Sequence, residues 1–160
     1  MLVAILAIIF ALIDQLSKYI IIKHLSKDIT IIKNLFYLSY AKNNGAAFSI
    51  FIGKRLFLII ITIVIILTII YYIFKNKIDN KIDIIAFSMI LGGAFGNLID
   101  RLIRGYVVDF ISVKIFNYPF PIFNVADSLI CIGVFLIFYK TLRKERKNDN
   151  RRYNWRTKNR

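Results

Sequence analysis

Four long apolar stretches constrain the fold of this chain more than any other feature. They cover residues 2–22, 56–74, 82–102 and 123–139. About 20 apolar residues in a helix cross the ~30 Å hydrocarbon core of a bilayer. Hydrophobic residues make up 58% of the 160 residues, which is too apolar for a soluble domain of this length. The sequence therefore predicts a membrane protein with four transmembrane helices. The first stretch lacks a basic N-terminal region and a small-residue cleavage site, so we expect a retained helix, not a signal peptide.

The distribution of lysine and arginine predicts the orientation of these spans. Ten of the 23 basic residues lie from Lys140 onward, and the connection between the second and third spans carries Lys75, Lys77 and Lys81. Cytoplasmic segments of membrane proteins are enriched in lysine and arginine. With an even number of spans, both termini are predicted to be cytoplasmic. Basic residues in the first outer connection oppose this orientation: Lys23, Lys27, Lys33, Lys42, Lys54 and Arg55. The higher density of basic residues in the tail outweighs them.

The basic C-terminal end divides the chain into two parts. Residues 1–140 are predicted to form a single integral-membrane domain, and residues 141–160 a disordered cytoplasmic tail. A net charge of +14 otherwise suggests a nucleic-acid partner. The basic stretch RRYNWR belongs to no recognised nucleic-acid-binding fold, whereas a basic segment directly after an apolar span is typical of contact with anionic lipid headgroups. We therefore expect membrane lipids as partners and no nucleic acid.

The two outer connections have the pattern of short strands. Residues 29–52 alternate between apolar and polar side chains and end in NNGAAFSIFIG, and residues 105–121 contain VVDFISVKIF. Alternation with a period of two residues indicates a half-buried strand. The sequence predicts a small β-sheet lying on the outer membrane surface.

Two aspartates stand at the watery ends of apolar segments: Asp109 in GYVVDF and Asp127 in FNVADS. A carboxylate within the hydrocarbon region is costly, so such residues tend to face a cavity or a partner. If the two converge, repulsion between like charges leaves the pair sharing one proton near neutral pH, as general acid–base catalysis requires. The alternative for Asn124 and Asp127 is helix capping, which does not explain Asp109. Cys131 and His24 are each the only residue of their kind, so a metal site is not expected, and Cys131 is predicted to be buried.

Other polar residues within the spans have structural alternatives. Asp14 and Lys18 have the spacing of a helical ion pair, which either neutralises two costly groups or supports an active site. Gly92 and Gly96 form a small-residue motif that favours helix packing over the docking of a substrate helix. Asn97 needs a partner inside its span, whereas Asp100 and Arg101 are interpreted as charges that mark the membrane interface.

Taken together, these segments resemble the bacterial lipoprotein signal peptidase family (signal peptidase II). The matching pieces, in the family's order, are DQLSK at 14–18, NNGAAFS at 43–49, GGAFGNLIDRL at 92–102, GYVVDF at 105–110 and FNVADS at 123–128. The resemblance implies four transmembrane helices with a small periplasmic β-sheet cradle between helices 1 and 2 and a short extracytoplasmic loop between helices 3 and 4. It also implies an aspartic endopeptidase that removes the signal peptide from diacylglyceryl-modified prolipoproteins, N-terminal to the lipidated cysteine.

Carried over by position, the resemblance makes Asp109 and Asp127 the catalytic residues. It implies a supporting and substrate-binding shell of Asp14, Lys18, Asn43, Gly45, Asn97, Arg101 and Asn124. No cofactor and no metal are implied. The expected location is the bacterial cytoplasmic (inner) membrane, with the active site near the outer face, and a monomer is expected.

Two other classes of function are kept as alternatives. A proton-coupled transporter would use acids such as Asp14, Asp100 and Asp127 as a relay, but such proteins place acids near the midplane and contain internal repeats, which this sequence lacks. A non-enzymatic assembly or anchoring protein would use its polar residues for packing alone and would tolerate Asp109→Asn. Catalysis by Ser128 is less favoured because no lysine or histidine is near it in the chain to activate it.

Overall fold

A computed structural model describes residues 1–46, 50–116 and 118–158, with side chains described up to residue 143. The helices are α1 (Leu2–His24), α2 (Arg55–Asn76), α3 (Lys81–Ile103) and α4 (Val125–Lys158), and the strands are β1 (Ile29–Ile32), β2 (Phe36–Asn43), β3 (Val107–Ile115) and β4 (Tyr118–Pro119). Helices α1, α2 and α3 and the segment Val125–Arg143 of α4 are long and apolar enough to cross a membrane. The prediction of four spans is confirmed. The backbone of residues 141–158 continues α4, where the sequence predicted a disordered tail.

Helix α3 is the central helix, and its glycines let two other helices approach it closely. A Cβ atom at Gly92 would collide with Phe10 of α1, and one at Gly93 would collide with Ala126 of α4. These collisions explain why the small residues are needed, since overpacking a tight contact is destabilising. The packing interpretation of this face is confirmed. The alternative, in which the glycine-rich face receives a substrate helix, is wrong because α1 and α4 already occupy it.

The sheet is assembled from both outer connections. Its strands are antiparallel and lie in the order β1-β2-β3-β4. Strands β1 and β2 follow α1 in the chain, whereas β3 and β4 follow α3. In the central pair, Ala41 lies opposite Asp109. Val108 and Phe110 of β3 pack against Ile21 near the end of α1. The predicted sheet is confirmed, and the connection between α3 and α4 contributes two of its strands.

An ion pair joins α3 and α4 at the end of the bundle that lies opposite the sheet. There, Lys140 of α4 forms an ion pair with Asp83 in the first turn of α3. At 1.5 Å per residue, Asp127 lies about 20 Å from Lys140 along the helix. Asp127 and Lys140 therefore lie near opposite ends of the apolar segment Val125–Arg143.

Candidate active site

The structure brings Asp109 and Asp127 together on one cavity. Asp109 is in β3 and Asp127 is in the first turn of α4, and both line a cavity of about 760 Å³. Asn97 and Arg101 of α3 line the same cavity. Asp109 is only 3% exposed, whereas Asp127 is half-buried. Two carboxylates of unequal burial therefore face a common space at the junction of the sheet and the bundle.

The start of α4 fixes the position of Asp127. The backbone N–H of Asp127 donates to Oδ1 of Asn124 (2.9 Å), and Oδ2 of Asp127 accepts from the backbone N–H of Asn124 (3.3 Å). This reciprocal arrangement caps the helix and places a carboxylate at the positive end of the helix dipole. The capping interpretation is therefore correct, and capping leaves Oδ1 of Asp127 available for a further contact.

Asparagine amides occupy the carboxylate oxygens of both aspartates. Asp109 accepts from Nδ2 of Asn43 at 2.8 Å and from Nδ2 of Asn124 at 2.7 Å, one at each oxygen. Oδ1 of Asp127 accepts from Nδ2 of Asn97 at 2.8 Å. These three amides come from β2, α3 and the segment before α4, so they join the elements that carry the two carboxylates.

The environment of Asp109 favours its protonated form. Burial raises the pKa of the Asp109 carboxyl from 3.8 to about 6, because removal from water disfavours the charged form. The hydrogen bonds from Asn43 and Asn124 oppose this rise, and the nearby charge of Asp127 adds to it. Near pH 6, Asp109 is therefore able to hold or release a proton.

Asp14 and Lys18 lie behind the cavity and are fully buried. Lys18 pairs with Asp14 at 2.8 Å and donates to Oδ1 of Asn97 at 3.0 Å. Oδ1 of Asp14 accepts from the backbone N–H of Ala126, at the start of α4, at 2.9 Å. These contacts neutralise the two buried charges and also hold Asn97 and the start of α4 in place. Neutralisation and support of the site, given above as alternatives, are therefore two results of the same contacts.

Arg101 and Gly45 contact each other at the edge of the cavity. Nη2 of Arg101 donates to the carbonyl oxygen of Gly45 at 3.1 Å, and its charge interacts with both Asp109 and Asp127. Arg101 is therefore part of the cavity wall, and its interpretation as a mere interface charge is wrong. Residues 47–49 of the NNGAAFS segment lie outside the described residues.

Sequence reasoning missed two residues and misplaced two others. Asp100, interpreted as an interface charge, is fully buried and pairs with Lys18 at 3.0 Å. Gln15 and Arg104 contact Asp100 and were not singled out. The usable signal was spacing, since Asn97, Asp100, Arg101 and Arg104 recur at the intervals of one helix face. Cys131, predicted to be buried, is exposed and lines the cavity. Among the residues that the structure describes, no group of three or more His, Cys, Asp or Glu side chains is arranged to hold a metal.

Comparisons with known proteins agree with this architecture. The family model described as Signal peptidase (SPase) II matches residues 6–143. A lipoprotein signal peptidase of Halalkalibacterium halodurans is 43% identical over 145 residues, which cover 89% of this chain and 93% of that protein. Two solved structures, both described as a bacterial membrane enzyme studied by the in meso method, are 40% identical to this chain. The first has a TM-score of 0.82 and covers 89% of this chain and 88% of its own. The second has a TM-score of 0.79 and covers 88% and 92%.

The matched region begins in α1 and ends in α4, so it includes the whole sheet and both aspartates. This chain therefore belongs to the signal peptidase II family of membrane-embedded aspartic proteases, which process prolipoproteins.

Proposed function

We propose that Asp109 and Asp127 are the catalytic carboxylates of this peptidase. The bond they hydrolyse is the peptide bond N-terminal to the lipidated cysteine of a diacylglyceryl-modified prolipoprotein. The observation that carries this proposal is the convergence of two carboxylates on one cavity, with both oxygens of each held by asparagine N–H groups. Nothing in simple packing requires two carboxylates to share one cavity, because two like charges placed close together repel each other.

The charges around the cavity support a pair that shares one proton. Arg101 places one positive charge beside the two carboxylates. With both aspartates ionised, the cavity carries a net negative charge in a region of low dielectric, which is unfavourable. With one proton on the pair, the single remaining negative charge is balanced by Arg101. Asp109, the more buried partner, holds the proton, and Asp127, at the positive end of α4, is ionised.

This assignment gives each carboxylate a role in hydrolysis. Asp127 takes a proton from a water molecule whose oxygen attacks the scissile carbonyl carbon, and Asp109 gives its proton to the carbonyl oxygen. The product of this step is a neutral gem-diol. Asp127 then gives its proton to the leaving nitrogen as the C–N bond breaks, and Asp109 takes a proton from a hydroxyl of the gem-diol. Both carboxylates end in their starting states, and no cofactor takes part.

The surrounding polar residues orient the two carboxylates. Asn43, Asn97 and Asn124 hold the carboxylate oxygens, while Asp14 and Lys18 hold Asn97 and the start of α4. Arg101, tied to the Gly45 carbonyl, presents its remaining N–H groups toward substrate carbonyl or headgroup oxygens. A preorganised set of donors of this kind acts without reorganisation during the reaction.

The substrate reaches this site from the lipid. Apolar residues form much of the cavity lining and include Ile52, Ile122 and Ile130. Cys131, on the lipid-crossing part of α4, is exposed and lines the same cavity, so the cavity is open along that helix. A signal peptide is itself an apolar helix, and its diacylglyceryl chains need only the bilayer as a solvent.

The site lies toward the outer face of the cytoplasmic membrane, with both termini in the cytoplasm. The basic α2–α3 connection and tail support this orientation. Arg55, one of the opposing charges, donates to the carbonyl oxygens of Arg101 (2.7 Å) and Leu102 (3.1 Å) and so serves the end of α3. A monomer is sufficient, because both aspartates and their partners come from one chain.

The test is cleavage of a diacylglyceryl-modified prolipoprotein by the purified protein, with the products identified by mass spectrometry. We expect one cut, directly before the lipidated cysteine, and no cut in the same substrate with that cysteine replaced by serine. Equal cleavage of the unlipidated substrate, or cleavage at another bond, would contradict the proposed substrate.

A further inference from the structure

A chain of polar side chains leads from the surface of α3 to the backbone of the catalytic strand. Arg104 forms an ion pair with Oδ1 of Asp100 and donates to Oε1 of Gln15 at 2.9 Å. Nε2 of Gln15 donates to Oδ1 of Asp100 at 3.0 Å. Oδ2 of Asp100 accepts from the backbone N–H of Val108 at 3.0 Å. The chain therefore ends one residue before Asp109.

The contact with Val108 fixes β3 relative to α3. Helix α3 ends at Ile103, and the chain turns at Gly105, whose φ of +86° favours glycine. Asp100 reaches across this turn, so its carboxylate sets how far β3 lies from the end of the helix. The residues Val107–Phe110 are all buried, which leaves little room for Asp109 to readjust if the strand shifts.

Arg104 also balances the charge of the buried cluster. Asp14 and Asp100 supply two negative charges, and Lys18 and Arg104 supply two positive ones. The side chains of Asp14, Lys18 and Asp100 are fully buried, whereas that of Arg104 is 22% exposed. Removal of one partner from a buried charge cluster leaves an uncompensated charge, which is strongly unfavourable. Without Arg104, two aspartates would compete for Lys18.

We propose that Arg104 and Gln15 are positioning residues for catalysis, which act by holding Asp100 on the N–H of Val108 and thereby fix Asp109 in the cavity. Neither side chain lines the cavity that holds the two aspartates. This role rests on the proposed function, because it matters for the rate only if Asp109 is catalytic.

The test compares kcat and KM of the folded enzyme in four variants. In Arg104→Met, we expect kcat to fall roughly 10- to 100-fold with KM nearly unchanged, because a small displacement of a reacting group costs rate and not binding. Arg104→Lys keeps the charge and should recover most of the loss. Asp100→Asn/Arg104→Met restores the charge balance and should be more active than Arg104→Met alone. Gln15→Met removes hydrogen bonds but no charge and should give a smaller loss of kcat.

The matched control is Lys140→Met, which breaks an ion pair of the same type at the far end of the bundle. It should leave kcat unchanged. Thermal unfolding of each purified variant separates loss of folded protein from loss of rate, and Gln15→Met keeps the test available if Arg104→Met does not fold. If Asp109→Asn is inactive while Arg104→Met and Gln15→Met change only thermal stability, the positioning role is wrong and the proposed function stands. If Asp109→Asn retains activity, the proposed function fails, and the positioning role fails with it.

Discussion

The asparagines that hold the two carboxylates each have their amide oxygen engaged elsewhere. Oδ1 of Asn43 accepts from the backbone N–H of Gly45. Oδ1 of Asn97 accepts from Nζ of Lys18, and Oδ1 of Asn124 accepts from the backbone N–H of Asp127. An amide has one acceptor and one donor end, so these contacts leave the NH₂ group facing a carboxylate. The protein thereby specifies three donors at the pair, and Asn→Asp substitutions would place a carboxylate against a carboxylate.

The raised pKa of Asp109 predicts the pH dependence of the enzyme. In the proposed mechanism Asp109 must be protonated to act as the general acid, so kcat/KM should fall as pH rises through about 6. Above that value, we expect a loss of roughly tenfold per pH unit. Steady-state cleavage of a lipidated prolipoprotein between pH 5 and pH 8 measures this limb. A flat profile above pH 6 would contradict the assignment of Asp109 as the proton donor.

The raised pKa of Asp109 also makes the stability of the folded protein depend on pH. The folded protein disfavours ionised Asp109, so the stabilisation linked to its proton is fully present below pH 3.8 and is lost as pH rises through about 6. The corresponding cost above pH 6 is on the order of 3 kcal/mol. The fold therefore accepts a local loss of stability at neutral pH at the residue that we propose as the proton donor.

At the level of helices, the approach of α1 to α3 at Gly96 links packing to the site. A Cβ atom at Gly96 would collide with the carboxylate of Asp14, whereas one at Gly92 would collide with Phe10 and with the backbone of Ala7. Gly96→Ala should therefore displace Asp14 from Lys18 and from the start of α4. We expect it to destabilise the protein by roughly 1–3 kcal/mol and to lower kcat of the folded fraction at least tenfold.

The comparison variant is Gly92→Ala, which overpacks the same helix face without touching a charged group. It should lower thermal stability by a similar amount and leave kcat of the folded fraction unchanged. Thermal unfolding in detergent, followed by circular dichroism and combined with kcat, distinguishes the two. Equal effects of both variants on kcat would show that Gly96 matters only for packing.

Local patterns were sufficient for the elements but not for every contact. Apolar runs predicted α1 to α3 with ends within two residues of those observed, and alternation predicted the strands. The cost of a carboxylate in a membrane singled out Asp109 and Asp127, and the capping pattern correctly predicted the local structure at Asp127. The burial of Asp100 was not predictable from its neighbours, because it depends on Lys18, which is 82 positions earlier in the chain. Cys131 was misplaced because an apolar residue in a span faces either the core or the lipid, and both have the same pattern.

At the scale of the whole molecule, the fold gathers a group of polar side chains at one end of a bundle of apolar helices. The sheet and the four helices bring two carboxylates together on one cavity at the junction of the sheet and the bundle. The polar groups needed there come from distant parts of the chain and are paired with one another. Every buried side-chain nitrogen and oxygen among the described residues has a hydrogen-bond partner, which limits the cost of so many polar groups in a membrane protein.

The most direct measurement is single-turnover cleavage of a diacylglyceryl-modified prolipoprotein by Asp109→Asn, Asp127→Asn and the double variant. Residues that act as a unit give strongly non-additive losses. We therefore predict that each single variant loses at least about 10³-fold in rate, while remaining folded, and that the double variant is no slower. A single variant that retains cleavage within about tenfold of the native rate would contradict a catalytic aspartate pair.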